Sequence, residues 1–218
     1  MSTKVDGIEF RQAISADREA YREALARFFY PEEPLTIGYY LGKDVTEDDM
    51  EFTLSLIEEG FVWLAVQEGS GKIIGMCGGS FIERGEADQL MDAAERTETK
   101  KFADILRLLA HLSREANVFE RFGVDRAYHV HCLAVDSGFR GKSLGRILVE
   151  KQFEYARKCA IRVVSADATS VYSVKLLERL GMESCYALTY ADYRDEHEQQ
   201  VFLTDGPHSE AKTMVKVL

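Results

Sequence analysis

Hydrophobic and polar positions alternate at the start of the chain, Ile8-Glu9-Phe10-Arg11-Gln12-Ala13-Ile14, well enough for a first strand. Ser15 and Asp17 then offer N-caps, and residues 17–30 place Tyr21, Leu25, Phe28 and Phe29 on one side of a helix. Pro31 and Pro34 end that helix, because the residue before a proline avoids the α region. Thr46 opens a second helix, with Glu47, Asp48 and Asp49 in its first turn and an apolar stripe of Met50, Leu54 and Ile57. Residues 61–67 and 72–82 are apolar strand-like runs joined by Glu68-Gly69-Ser70-Gly71, a hairpin. Gly75, Gly78 and Gly79 inside the second run predict a bulge or the close approach of another backbone.

Residues 86–122 read as mostly helical and polar, with one strong stripe at Phe102, Ile105, Leu106, Leu109 and Leu112. This stretch is an insertion between the third and fourth strands; a packing helix and a substrate lid are both open readings. His129, His131, Leu133 and Val135 then alternate with Val130, Cys132 and Ala134, a period-2 strand. The turn Asp136-Ser137-Gly138 leads through a basic loop into a helical pattern of Leu144, Ile147, Leu148, Tyr155 and Cys159. A short buried strand at 161–166 and a helix at 169–180, closed by Gly181, follow. Residues 184–190 and 212–218 read as two final strands around a charged surface loop, 192–209. The order of elements predicts an α/β fold, a mixed sheet with helices on both faces. At 218 residues, a single domain spanning 1–218 is expected.

Composition narrows the function. Hydrophobic residues make up 46% and charged residues 29%, which is ordinary for a soluble domain. The net charge of −10 argues against nucleic acid, whose binding needs a basic face, and suits a small cationic substrate. None of the four cysteines, Cys77, Cys132, Cys159 and Cys185, forms a C-x-x-C pair, so they read as reduced thiols. No apolar leader or run long enough to span a membrane is evident, and a cytoplasmic monomer is expected.

Against that acidic background the segment from Arg140 to Arg146 stands out. A strand, a small basic loop and a helix start form an anion site, because helix N-termini offer free N–H groups and a positive dipole end. Arg140, Lys142 and Arg146 add charge, and Gly141 and Gly145 let a phosphate approach the backbone. The loop lacks both G-x-x-x-x-G-K-[ST] and G-x-G-x-x-G, which argues against nucleoside triphosphates and dinucleotides. A basic turn without a ligand is the plain alternative.

The loop resembles the acetyl-CoA motif of the GNAT acetyltransferase superfamily, R/Q-x-x-G-x-G/A. Arg140 fills its first position and Gly145 its last, with Ser143 where the family usually has glycine. His129-x-His131 followed by Leu133-Ala134-Val135 resembles the arylalkylamine N-acetyltransferases, whose paired histidines face the acetyl group. Pro31-Glu32-Glu33-Pro34-Leu35 is similar to the D-E-P-L segment of the insect members, and Tyr172-Ser173 before Leu180-Gly181-Met182 to their second block.

The resemblance implies the GNAT fold, a mixed, mostly antiparallel seven-stranded sheet in which strands 4 and 5 splay to admit the pantetheine arm. It implies acetyl-CoA as cosubstrate, without a metal, and a small-molecule amine as acceptor. The backbone of Leu133, Ala134 and Val135 would pair with pantetheine. Arg140, Gly141, Lys142, Ser143, Leu144, Gly145 and Arg146 would hold the phosphates. An alkylammonium resembles lysine, with a pKa of about 10.4, so a base must take its proton. Glu33 is the first candidate, with His131 and His129 as a relay. Ser173, and after it Thr169, would supply the leaving-group proton, because Leu177 stands where many members carry tyrosine. Tyr172 reads as packing. Phe29, Tyr30, Pro34 and Leu35 would line the acceptor site. A polyamine or protein acceptor, and a non-catalytic CoA sensor, are the rival readings.

Overall fold

The computed structural model describes residues 5–204 and 206–218. Strands β1 (Ile8–Gln12), β2 (Val62–Gln67), β3 (Ile73–Glu83), β4 (Arg126–Val135), β5 (Val163–Ala168), β6 (Glu183–Thr189) and β7 (Glu210–Val217) form one sheet, ordered β1-β2-β3-β4-β5-β7-β6. Every neighbouring pair is antiparallel except β4 and β5. The sheet is therefore mixed and mostly antiparallel, as the sequence pattern and its resemblance predicted.

Helices cover both faces. On one side α7 (Leu144–Lys158) and α8 (Val171–Arg179) pack Leu148, Phe153 and Leu177 against Ile74, Val164 and Ala166. On the other, α1 (Arg18–Ala24) and α3 (Glu47–Glu58) pack Tyr21, Leu54 and Ile57 against Ile73, Leu64 and Met76. Ile73 and Ile74 thus serve opposite cores, the period of a strand buried on both faces. The insertion consists of α4 (Glu86–Arg96), α5 (Lys100–Ala116) and α6 (Val118–Phe122). It breaks before α5, where Thr99 caps the helix, and again at Asn117 in the left-handed region. Its stripe of Phe102, Leu106 and Leu112 packs with Leu35, Tyr190 and Phe202.

Two features of this sheet build a cleft. First, β4 and β5 pair only at Tyr128 with Val164, His129 with Ser165, and Val130 with Ala166. Beyond these pairs β4 continues to Val135 against β3 alone, and β5 to Ala168 against β7 alone. Second, consecutive Gly78 and Gly79 face Cys132 and Val130, leaving His131 as the extra residue of a bulge. The glycines are required there. A Cβ on Gly79 would lie 2.7 Å from the His129 carbonyl oxygen, and one on Gly78 2.9 Å from Cys132 Sγ.

Three local readings change. The helix expected over 17–30 stops at Ala24 and continues as a π-helical turn (Leu25–Phe29) and a tight turn (Tyr30–Glu32). The wider π turn changes the direction of the residues that follow it, a device found at functional sites. Pro34 also starts a short helix, α2 (Pro34–Ile37), for which Glu33 is the N-cap. Finally, the charged stretch 192–209 is not wholly a surface loop. Val201 and Phe202 are buried against α5, while Asp205 lies outside the described residues. Among the described residues no helix is long and apolar enough to cross a membrane.

The bulge has a direct test. Gly79→Ala should destabilise the fold by about 2–3 kcal/mol, because the added methyl meets the His129 carbonyl oxygen and the fully buried ring of Tyr128. Urea denaturation of the variant should show the loss as a lower midpoint.

Candidate active site

A cavity of about 770 Å³ lies against the splayed strands, within the usual range for small-ligand sites. Its walls come from β4 and β5, the segment 28–37, α3, the α4–α5 insertion and the start of α8. Glu33, His129, His131, Thr169 and Ser173, chosen from sequence, all line it. So do Phe29, Tyr30, Pro34 and Leu35 at the acceptor side. Leu133, Ala134, Val135, Arg140 and Gly145 line the cofactor side.

Glu33 is fixed by its own backbone position. As N-cap of α2 it accepts from Thr36 N at 2.6 Å and Thr36 Oγ1 at 2.9 Å, both through Oε2. Its Oε1 is buried with no hydrogen-bond partner among the described residues. Lys101, itself buried, donates to the carbonyls of Thr36, Gly42 and Asp44 at 3.0, 3.0 and 2.8 Å. The same lysine therefore braces Thr36 from behind. Burial pulls the Lys101 ammonium down, against the attraction of Asp49 and Glu33. Asp49, which accepts from the Tyr30 hydroxyl at 3.1 Å, is pushed up to about 7 by burial and then by the charge of Glu33.

The two histidines sit on one face of β4, their rings 4.8 Å apart. His131 Nε2 lies 2.7 Å from Ser80 Oγ, and His129 Nδ1 lies 2.9 Å from Ser165 Oγ. The sequence reads them as a proton relay; the structure moves both out of the ordinary imidazole range. Burial lowers His129 to about 4, and burial followed by His129 holds His131 well below its usual value. Both are neutral at pH 7.

Beside them stand two carboxyls that sequence reasoning missed. Asp167 on β5 is pushed up to about 6 by burial, opposed by a 2.6 Å bond from Thr213 Oγ1. Glu86, at the start of α4, is pushed up to about 7 by burial and then by the charge of Asp167. A polar residue inside the apolar run Val163-Val164-Ser165-Ala166-Asp167-Ala168 was the available signal for Asp167. Nothing local marks Glu86, whose neighbour in space lies on another element.

At the start of α8 the N-cap is Ser170, not Thr169. Ser170 Oγ accepts from Ser173 N at 3.1 Å, while Ser173 Oγ donates to the Ser170 carbonyl at 2.8 Å and accepts from Ser170 N at 3.3 Å. Thr169 offers its carbonyl to the Tyr190 hydroxyl at 2.7 Å. Tyr172 is not packed in a core: it is 68% exposed, lies on the cavity wall and stands edge-on to His208.

The cofactor loop differs in detail from a uniform basic patch. Gly141 and Ser143 both adopt positive φ, 83° and 60°. Ser143 therefore holds a conformation that costs an L-residue about 1–2 kcal/mol and a glycine almost nothing. Leu144 turns its side chain into the core, so only its backbone N–H can serve a ligand. A Cβ on Gly145 would meet Leu176 Cδ2 at 3.2 Å. Of the three basic residues, Arg140 alone lines the cavity, paired with Glu32. Lys142 lies over the Phe139 ring, and Arg146 pairs with Glu150 on the surface of α7.

The Acetyltransferase (GNAT) family matches residues 18–182 of this chain. Among solved structures, a mosquito arylalkylamine N-acetyltransferase-like 5b protein is 45% identical, with a TM-score of 0.94 over 97% of this chain and 100% of that one. The Drosophila melanogaster polyamine N-acetyltransferase that forms N-acetylagmatine is 34% identical, with a TM-score of 0.91 over 97% and 100%. Arylalkylamine N-acetyltransferase 2 from Aedes aegypti is 28% identical, with a TM-score of 0.88 over 97% and 99%.

The raised carboxyls have a consequence for stability. A group whose pKa is higher folded than unfolded contributes fully below its unfolded pKa, and that contribution is lost as pH rises through the folded value. For Asp49 the window runs from its ordinary value of 3.8 up to about 7. Asp49→Asn should therefore lose stability less steeply than the wild type across that window. Melting temperatures of both proteins at pH 4 and at pH 8 check this; parallel curves would show that Asp49 does not ionise with the assigned cost.

Proposed function

The chain belongs to the acetyltransferase (GNAT) family and is an acetyl-CoA-dependent N-acetyltransferase; on that premise we propose that its acceptor is a small arylalkylamine, deprotonated by Glu33. One observation carries this: the buried, unpartnered Oε1 of Glu33 on the cavity wall. Oε2 is held by Thr36, so the carboxylate presents one oriented oxygen to the ammonium. Phe28, Phe29, Tyr30, Phe52 and Phe102 on the walls supply apolar and π surface for an aryl group and its cation.

The chain fits the cofactor at three places. The edge of β4 from Leu133 to Val135 has no strand partner on the β5 side and is the place for pantetheine. The N–H groups of Gly141 to Gly145 and the charges of Arg140, Lys142 and Arg146 would hold the phosphates. Gly145, without a side chain, leaves the cavity open where α7 begins. Acetyl-CoA, when bound, supplies an activated acetyl thioester.

His131 and His129, neutral at pH 7, act as hydrogen-bonding relays through Ser80 and Ser165 rather than as stores of charge. Ser173 donates the leaving-group proton; because its hydroxyl serves the α8 cap, it must rotate away from the Ser170 carbonyl to do so. Thr169 is the second hydroxyl at that side. The whole chain acts as one cytoplasmic, monomeric domain, with residues 86–122 as the wall of its acceptor site.

Glu33→Gln should lower kcat/KM by about 10²–10⁴ in a well-folded protein, since Gln keeps the shape but takes no proton. Part of the rate should return at high pH, where the amine deprotonates itself. A rise in KM with kcat intact would instead make Glu33 an attractor of the cation and not the base.

Arg140→Ala should weaken acetyl-CoA binding by about 1.5–3 kcal/mol if it makes a charge-assisted phosphate bond. Glu32→Gln should act in the opposite direction, because it frees Arg140 from its ion pair. Calorimetry on both variants decides: equal affinities throughout would remove Arg140 from the site.

A further inference from the structure

We infer that Thr36 is a positioning residue for Glu33: its hydroxyl, acting beside its own backbone N–H, holds one carboxylate oxygen so that the other stays free for the acceptor ammonium. This rests on the reading of Glu33 as the base.

Thr36 is the third residue of α2, and an N-cap side chain needs only a backbone N–H from that place. Any residue except proline would supply it. Threonine adds a second donor. Its Oγ1 lies 2.9 Å from Glu33 Oε2, the same oxygen that its N–H reaches at 2.6 Å. Glu33 Oε1 receives no hydrogen bond among the described residues, although it is buried. One oxygen thus has two donors and the other has none, in a cavity wall whose ligand brings a donor of its own.

The hydroxyl does what the N–H alone cannot. The terminal torsion of a glutamate is broad, so a carboxylate held by one bond swings about it. Two bonds from different atoms of one residue fix its plane. The hydroxyl is itself fixed, because a β-branched side chain is stiff at χ1 and Thr36 is 1% exposed. A base displaced by about an ångström costs far more in rate than the lost hydrogen bond costs in stability.

The frame behind Thr36 is held from outside the helix. α2 has four residues, too few for a helix to be stable by itself. Glu33 N donates to the Tyr30 carbonyl at 3.3 Å before it, and Leu203 N to the Gly38 carbonyl at 2.5 Å after it. Between them Lys101 donates to the Thr36 carbonyl at 3.0 Å. Its remaining bonds go to Gly42 and Asp44, so all three ammonium donors serve this one segment. Thr36 is anchored to α5 through its carbonyl, and it passes that position to Glu33 through its N–H and hydroxyl.

The test is a double-mutant cycle of Thr36→Val with Glu33→Gln, read by thiol release with phenethylamine and acetyl-CoA. Valine keeps the branch and the N–H and removes only the hydroxyl. At neutral pH Thr36→Val should lower kcat by about tenfold, the worth of one hydrogen bond to a charged group, with KM for acetyl-CoA unchanged. Thr36→Ser, which keeps the hydroxyl, should recover most of that loss. In the Glu33→Gln protein the valine should change kcat by less than about twofold, because no base is left to aim. Raising the pH toward the ammonium's own value of about 10.4 should shrink the loss, since the amine then needs no base. Melting temperatures check folding, and Thr36→Ala carries the same expectations if the valine is not tolerated. A wild-type kcat in Thr36→Val overturns the inference. So does an equal loss in both backgrounds, or a loss that high pH leaves intact, because either describes a residue that supports the fold and not the base. With Glu33→Gln slow, those results leave Glu33 as the base; a Glu33→Gln enzyme as fast as the wild type sinks the base reading itself.

Discussion

Gly78 and Gly79 are neighbours on β3, yet the residues they face on β4, Cys132 and Val130, are not. The extra residue, His131, has no place in the ladder, and the strand that carries it bends. Bulges increase local twist and stop pairing. Here pairing with β5 stops one residue earlier, at Val130, and the second half of β4 runs on without a partner on that side among the described residues. The cleft, the exposed backbone from Leu133 to Val135 and the position of both histidines all depend on that offset. Any side chain at Gly79 would push against the backbone of β4 and close what the bulge opens.

The second constraint is electrostatic. The cavity walls carry Glu33, Asp49, Glu86 and Asp167 together with two histidines that burial keeps neutral. In a medium of low dielectric such a set is unfavourable to fold around. The protein limits the cost with local donors: Thr36 for Glu33, Tyr30 for Asp49, Ser113 for Glu86, Thr213 for Asp167. Each donor satisfies one oxygen of its carboxyl and leaves the group able to receive a cation. Sites built this way trade stability for function, since the free donors and acceptors are useful only when a ligand arrives.

Much of this was legible in the sequence because it is local. Period-2 alternation placed β4, the glycines of β3 announced the bulge, and the prolines around Glu33 marked a turn with a single orientation. The basic loop was legible as chemistry. What could not be read depends on tertiary burial or on fine backbone geometry. The π turn after Ala24 has no composition signal. Thr169 and Ser170 are both good caps, and only the path of the chain chooses between them. The histidines' loss of basicity comes from burial in the assembled fold. Asp167 and Glu86 line one cavity only because the insertion supplies part of its wall.

That insertion is fastened rather than hinged. Lys101 on α5 is 7% exposed and donates to three carbonyls of the 36–44 loop. Asp104, three residues along the same helix, accepts from Tyr39 Oη at 2.8 Å and pairs with Lys100 and Arg107. Swinging α5 away as a lid would strip a buried ammonium of three acceptors and a buried carboxylate of its donors, each a large penalty. A packing wall is the reading the contacts favour. It has a further role, because Lys101 holds the carbonyl of Thr36 while the N–H and hydroxyl of Thr36 hold Glu33. The helix that encloses the acceptor is thus connected, through one threonine, to the carboxylate that would take its proton. Access to the cavity then does not come by opening its roof.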